Sequence, residues 1–417
     1  MPQPALPEPK HPELDSMLTR KFGREVANYF SGSPLNRVGF LRPDHVFLSQ
    51  AIRHPTTAFL LCNNLQPLTK EPKKLAYVAH ADVRPLIGDN PYEKSEDDLI
   101  EQYNSETSVP QMIFLGLDER NSNGLIYKEQ YKGAPFFAVD VTPRGSYVDI
   151  AKKLITDLES RGYSFAQGRV MDIEASEASI YAEARQLLDW NARNPFCAQC
   201  GSPTLSVNAG FKRACPPKDT AKLTSSIGKT TAELPSADRP PCSTRTGISN
   251  LSFPRTDPTV IMAVVSADAS KILLGRQKKW PAYWYSTLAG FCEPAESVEE
   301  AVRREVWEES GIELGRVVIH STQPWPYPAN LMIGAIGQAT PQGETVDLGN
   351  DPELEDARWV PFEEAREALR TGTSGLGEPA PEGYKEGGLR LPPETAIAHQ
   401  LINAVVNKGF LGADSKM

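Results

Sequence analysis

The stretch Gly290-Phe-Cys-Glu-Pro-Ala-Glu296-Ser-Val-Glu-Glu-Ala-Val-Arg-Arg304-Glu305-Val-Trp-Glu308-Glu309-Ser-Gly311-Ile312 decides the fold. Its middle reads as a helix over Ser297 to Ser310: Ser297 and Glu300 have the spacing of a capping box, and Gly311 stands where a helix stop is expected. At 100° per residue, Glu305, Glu308 and Glu309 fall within one 100° arc beside Val298 and Val302. Three like charges on one stripe destabilise a helix unless a cation sits against them. A hard divalent ion does this well. Mg²⁺ or Mn²⁺ prefers carboxylate oxygen and water and bridges protein carboxylates to substrate phosphates, so the pattern points to phosphate chemistry. The competing reading is a solvated acidic face paired with Arg303 and Arg304.

Outward from this helix, the run at 258–277 (PTVIMAVVSADASKILLGRQ) predicts a hairpin turning at Asp268, Ala269 and Ser270, and STLAG predicts a short strand entering the loop. The first 185 residues alternate apolar runs (HVFLSQA, TAFLLC, KLAYVA, QMIFLGL, FFAVDV) with turn-rich stretches, which predicts strands in a mixed or mostly antiparallel sheet. Ser176 to Asn191 reads as a helix from the spacing of Ile180, Ala184, Leu187 and Leu188. That helix delivers the chain into a cysteine cluster. Cys197 and Cys200 form a CxxC, Cys215 follows after 14 residues and Cys242 after 26 more, enough for a Cys₄ zinc ribbon. Residues 216–241, with five Pro, four Thr and three Ser, read as a surface insertion that loop-closure entropy tolerates. Unconnected thiols and a redox CxxC are the alternatives, and Cys62 and Cys292 read as isolated thiols.

Length and charge bound the rest. At 417 residues, 40% apolar and 23% charged, the chain has a globular composition and room for two or three domains. No apolar run approaches the roughly 20 residues of a membrane span. The opening MPQPALPEPK has no signal-peptide core, which predicts a chain that folds inside a cell. A net charge of −9 does not favour wholesale wrapping by nucleic acid. No internal repeat of 20 to 50 residues is evident.

The frame around the acidic helix, from Gly290 through Glu296 to Arg304–Ile312, matches all nine specified positions of the Nudix box. The chain therefore resembles the Nudix hydrolases, and the resemblance implies an α/β/α sandwich with a mixed sheet and hydrolysis of a nucleoside diphosphate linked to another group. TQPWPYPANLM at 322–332 is similar to the SQPWPFPxSLM element of the NADH pyrophosphatase branch, and SPLNRVGFLR at 33–42 is similar to that branch's N-terminal domain. The departures are Tyr327 for Phe, Asn330 for Ser, the ribbon insertion and the missing second CxxC.

This resemblance implies an N-terminal mixed α/β domain over 1–185, a zinc ribbon over 186–254, a Nudix domain over 255–412 and a tail over 413–417. It implies metal ligation by the Ala289 carbonyl, Glu305, Glu308, Glu309 and Glu353, with two or three ions per site. Base stacking would fall to Phe291 and Phe253, and a pocket would be lined by Gln323, Pro324, Trp325, Pro326, Tyr327, Pro328, Ala329 and Asn330 and closed by Ala398. Arg304 would orient a glutamate, and Glu309, with Glu308 near it, would assist proton removal. The substrate would be NADH or NAD, split into nicotinamide mononucleotide and AMP, with zinc structural and the protein a homodimer. Removal of the NAD cap from RNA 5′ ends is the rival; the insertion's charge of 4 − 3 = +1 gives it no RNA track. A non-catalytic ribbon scaffold is a second rival, disfavoured by the intact glutamates. The terminal Ser415-Lys416-Met417 is a variant of the Ser-Lys-Leu address, predicting an import receptor as partner and a peroxisomal location, with the cytoplasm as alternative.

Overall fold

The structure, a computed structural model, describes residues 4–9, 19, 24–221, 238–246, 252–350 and 353–407. Ser415-Lys416-Met417 lies outside the described residues, as does most of the 216–241 insertion. The chain divides into two compact units, one made of 33–255 and the other of 1–32 together with 256–417. Among the described residues no helix is long and apolar enough to cross a membrane.

In the first unit, β1 (Ala58–Asn63) lies parallel to β6 (Tyr131–Asp140) and antiparallel to β2 (Gln66–Thr69) and β3 (Tyr77–Val78). β4 (Met112–Asp118) and β5 (Leu125–Tyr127) flank β6, and β7 (Ser164–Phe165) extends β2, giving the mixed sheet expected. Buried Phe47, Phe59, Phe114 and Phe137 fill its core. One of the runs read as a strand is a helix. HVFLSQA opens α1 (His45–Arg53), because Asp44 Oδ1 accepts from the amides of Val46 and Phe47, and Phe47, Leu48, Ala51 and Ile52 bury one helical face. After α2 (His80–Ile87), α3 (Glu96–Glu101) and α4 (Val148–Ser160), α5 (Ala175–Arg193) enters the ribbon hairpin of β8 (Leu205–Val207) and β9 (Lys212–Ala214).

The insertion is closed at its neck. Lys218 bridges Asp238 in antiparallel fashion, the Arg239 amide donates to the Pro217 carbonyl at 2.8 Å, and the buried Arg239 guanidinium meets the buried Asp219 carboxylate at 2.6 Å. Asp219 also accepts from the Ser105 amide at 3.0 Å. The two ends thus meet before the ligand cysteines are reached, so a long excursion leaves Cys215 and Cys242 together.

In the second unit β10 (Asp257–Val265) turns through Asp268–Ser270 into β11 (Lys271–Gln277), as the hairpin reading expects. With β12 (Leu288–Phe291), β13 (Leu314–Trp325), β14 (Asn330–Ala339) and β15 (Leu354–Pro361) these make a six-stranded sheet ordered β13-β14-β10-β11-β15, β12 pairing with β10. β10 and β14 are parallel and the other pairs antiparallel. Alternation along β10 explains the layers. Val260, Met262 and Val264 pack against Ala301, Val302 and Val306 of α6 (Val298–Ser310), while Ile261 and Ala263 pack with α7 (Phe362–Thr371) and α8 (Ile397–Val406). The result is an α/β/α sandwich. Residues 24–32, which a boundary at 185 groups with the first domain, pack within this second unit, because Asn28 Nδ2 donates to Ser321 Oγ and the Thr322 carbonyl at 3.0 and 2.9 Å.

Removing one partner of a buried ion pair leaves an uncompensated charge, so Asp219→Ala is expected to destabilise the 33–255 unit by about 3–5 kcal/mol. Calorimetric melting checks this; an unshifted transition would remove the pair from the neck's support.

Candidate functional site

The box helix is built as its sequence demands. Ser297 Oγ accepts from the Glu300 amide at 3.2 Å, the Glu300 carboxylate accepts from the Ser297 amide at 2.7 Å, and Gly311 ends the helix at φ 71°. Arg304 projects from the middle turn and spends its guanidinium on five acceptor atoms of four residues. Its Nε and Nη2 donate to the two Glu296 oxygens at 2.6 and 2.9 Å, Nη1 donates to Glu305 and Glu308 at 2.8 Å each, and Nη2 also donates to the Phe291 carbonyl at 2.8 Å. These bonds hold the Glu296 carboxyl down to about 2, so Glu296 stays ionised and acts as an anchor, without a proton to exchange near neutrality.

Glu305 is shifted the other way. Burial pushes its carboxyl up, Arg304 opposes this, and the neighbouring charges of Glu308 and Glu353 add to the rise. Glu353, some fifty residues downstream, therefore reaches the same patch, where its Oε1 also accepts from Gln277 Nε2 at 2.5 Å. Glu309 is buried on the same helix at 3% exposure. Gly290 lets the loop come close with the Glu305 carboxylate in place: a Cβ there would stand 2.0 to 2.3 Å from that carboxylate's atoms, so a larger residue would push the carboxylate aside. Carboxylates whose charges raise Glu305 suit a hard divalent cation, which would offset the repulsion that Arg304 meets only in part.

The remaining expected site residues divide. Ala289 and Phe291 lie on β12 opposite Ile261 and Thr259, and the Phe291 side chain is 57% exposed. Trp325 and Tyr327 are half-buried and meet edge-on at 5.6 Å, with Pro326 buried between them and Pro324, Pro328 and Ala329 half-buried. Three others turn inward. Gln323 is 1% exposed and all its amide capacity is used: Nε2 donates to the carbonyls of Tyr29 and Thr395, and Oε1 accepts from the Ile397 amide. Asn330 donates to Thr259 Oγ1 at 2.9 Å, and Ala398 is buried in the core on α8 itself. These three brace the 322–332 element from behind, and the bonded amides of Gln323 and Asn330 are turned to the interior. Phe253 belongs to the other unit, where Lys212 Nζ lies 5.5 Å from its ring.

The four cysteines converge. Their sulfurs lie within 4.8 Å of one another, with Cys197–Cys242 at 3.7 Å and Cys200–Cys215 at 3.6 Å. A tetrahedral zinc with Zn–S of about 2.3 Å has S···S edges of about 3.8 Å, so the cluster fits zinc and is far too open for a disulfide. Two further residues escaped sequence reading. Thr244 Oγ1 lies 3.1 Å from Cys242 Sγ and 3.5 Å from Cys197 Sγ, and Arg245 Nη2 donates to Cys215 Sγ at 3.3 Å. They offset the negative charge of four thiolates. Their only signal is adjacency to Cys242 in CSTR.

The family model for the NUDIX domain matches residues 256–379, that for the NADH pyrophosphatase-like rudimentary NUDIX domain matches 56–190, and that for the NADH pyrophosphatase zinc ribbon domain matches 192–219. A Schizosaccharomyces pombe protein named NAD-capped RNA hydrolase is 32% identical over 397 residues, covering 94% of this chain and 96% of its own. A Saccharomyces cerevisiae protein of the same name is 33% identical, covering 91% and 95%. The human mitochondrial protein named NAD(P)H pyrophosphatase is 30% identical over 64% of this chain and 60% of its own. With the box geometry, the sandwich and the four-thiol ribbon all in one polypeptide, the chain belongs to the NADH pyrophosphatase family of Nudix hydrolases.

Proposed function

We propose that this protein hydrolyses the pyrophosphate bond of NADH, NAD or a related dinucleotide, releasing nicotinamide mononucleotide and AMP. The observation that carries the reading is the patch of Glu305, Glu308 and Glu353, tied by Arg304 to the glycine loop, with Glu309 one helical turn after Glu305 on the same helix. The sheet supplies a matching scale. Phe291 pairs with Thr259, Thr259 with Met332, and Met332 with Gln323, so three strand spacings of about 4.8 Å separate the loop from the Trp325–Tyr327 element by about 14 Å, a reach suited to a dinucleotide.

Magnesium or manganese, held by the four glutamates and the Ala289 carbonyl, would neutralise the pyrophosphate charge and acidify the attacking water. Glu309, buried on the same helix, would assist removal of the water's proton, and Arg304 holds the carboxylates of Glu305 and Glu308 in place. Phe291, exposed at the loop's end, offers its face to a base. Zinc in the ribbon is structural, because four thiolates leave no open position. The NAD cap of RNA presents the same bond, and the names of the two fungal relatives favour it as a second substrate. A homodimer and peroxisomal targeting through Ser415-Lys416-Met417 complete the proposal; sedimentation of the purified chain tests the first, and dispersal of a punctate signal on deleting the tripeptide tests the second.

Incubation with NADH and Mg²⁺ followed by chromatography should yield reduced nicotinamide mononucleotide and AMP, and the rate relative to NAD-capped RNA ranks the substrates; intact NADH would sink the main reading. Glu309→Gln should retain the fold and lose about 10²- to 10⁴-fold in turnover at saturating metal. Gly290→Ala is expected to impair turnover comparably, by driving the Glu305 carboxylate aside, while the zinc content stays at one per chain by elemental analysis. Chelating the zinc should lower the melting temperature of the 33–255 unit without abolishing NADH hydrolysis below that temperature; loss of turnover in proportion to zinc would contradict a structural role.

A further inference from the structure

Three consecutive residues near the start of the chain hold three places on the element at 321–327. Asn28, 1% exposed, donates both its amide bonds to Ser321 Oγ and the Thr322 carbonyl. The Tyr29 carbonyl accepts from Gln323 Nε2 at 3.1 Å. Phe30 is 2% exposed and stands edge-on to both Trp325, at 6.1 Å and 82°, and Tyr327, at 6.2 Å and 71°. Because Trp325 and Tyr327 are themselves edge-on at 5.6 Å, the three rings form a closed triangle in which moving one re-angles the others. Nearly 290 residues of sequence separate the two segments.

The backbone and one polar atom are held against their local preference. Phe30 has φ 72°, a left-handed conformation that a bulky side chain adopts only when its surroundings impose it, and the turn that follows is closed by Ser31 N and Oγ on the Asn28 carbonyl at 3.1 and 2.6 Å. Asn28 Oδ1 is buried with no hydrogen-bond donor against it among the described residues. Ordinary packing of a chain terminus requires neither feature. The left-handed backbone at Phe30 accompanies a ring set edge-on to both Trp325 and Tyr327, and Asn28 spends its two donors on the strand at the expense of its own oxygen.

We propose that Asn28–Phe30 is a positioning and specificity device for the dinucleotide: Phe30 sets the mutual angle of Trp325 and Tyr327, and Asn28 sets the height of the strand that carries them. The planar group received by this aromatic pair is a base of the substrate. The proposal rests on the reading that the 323–330 element lines the substrate pocket. It assigns no chemistry to these residues, which act through Trp325 and Tyr327.

Steady-state kinetics on the full chain with NADH tests it, using Phe30→Ala, the conservative Phe30→Tyr, and Asn28→Asp, which keeps the side chain's size and removes both amide donors. Phe30→Ala should raise KM by about tenfold with kcat and the Mg²⁺ activation curve nearly unchanged, the signature of lost binding distant from the reacting bond. Asn28→Asp should shift KM in the same direction, and Phe30→Tyr should restore it. Unchanged KM in both Phe30→Ala and Asn28→Asp overturns the proposal and leaves the activity standing, as does a lowered melting temperature with wild-type KM for the folded fraction. If Phe30→Ala does not fold, Asn28→Asp and Phe30→Leu decide by the same split. A wild-type chain without NADH hydrolysis overturns the functional reading and this proposal with it.

Discussion

A single guanidinium holds the site together. Arg304 donates to Glu296, Glu305, Glu308 and the Phe291 carbonyl, and so couples the glycine loop to the helix that carries the acids. Without it, the negative charge that defines the patch would push the loop and helix apart. With it, the charge is balanced in part, and enough remains to attract a divalent cation. Gly290 is the other half of the constraint: the two elements touch where a methyl group would displace the Glu305 carboxylate. Sheet, hairpin and caps place these two contacts, and the sandwich is the scaffold that holds them.

The two candidate ligand sets differ in donor chemistry. Four soft sulfurs in the ribbon make a closed shell whose outer donors, Thr244 and Arg245, come from the residues just after the last ligand. Hard oxygens on α6 and before β15 make an open patch, with Glu353 supplied from a separate segment. One set is closed by four like donors; the other draws its donors from two separate segments.

Much of this was legible in the sequence because it is local. The capping box, the glycine stop, the one-sided glutamates and the CxxC all depend on residues within one or two helical turns, where spacing dictates geometry. HVFLSQA was misread because seven residues are too few to separate period 2 from period 3.6, and the deciding residue, Asp44, stands just outside the run. Gln323 and Asn330 belong to a recognisable element, yet their inward bonds to Tyr29, Thr395 and Thr259 come from distant segments and leave no mark in the local pattern. The association of residues 24–32 with the later unit was hidden for the same reason. Long-range pairing is settled by burial and hydrogen-bond satisfaction, which one sequence does not display.

The closed neck of the insertion has a consequence for the spacing of the cysteines that flank it. Arg239 and Asp219 join the two ends at the stem, so the spacing of Cys215 and Cys242 is held by residues on the near side of the excursion. The entropy of closing a loop grows only slowly with its length, so the number of residues carried beyond such a stem weighs little on the cage.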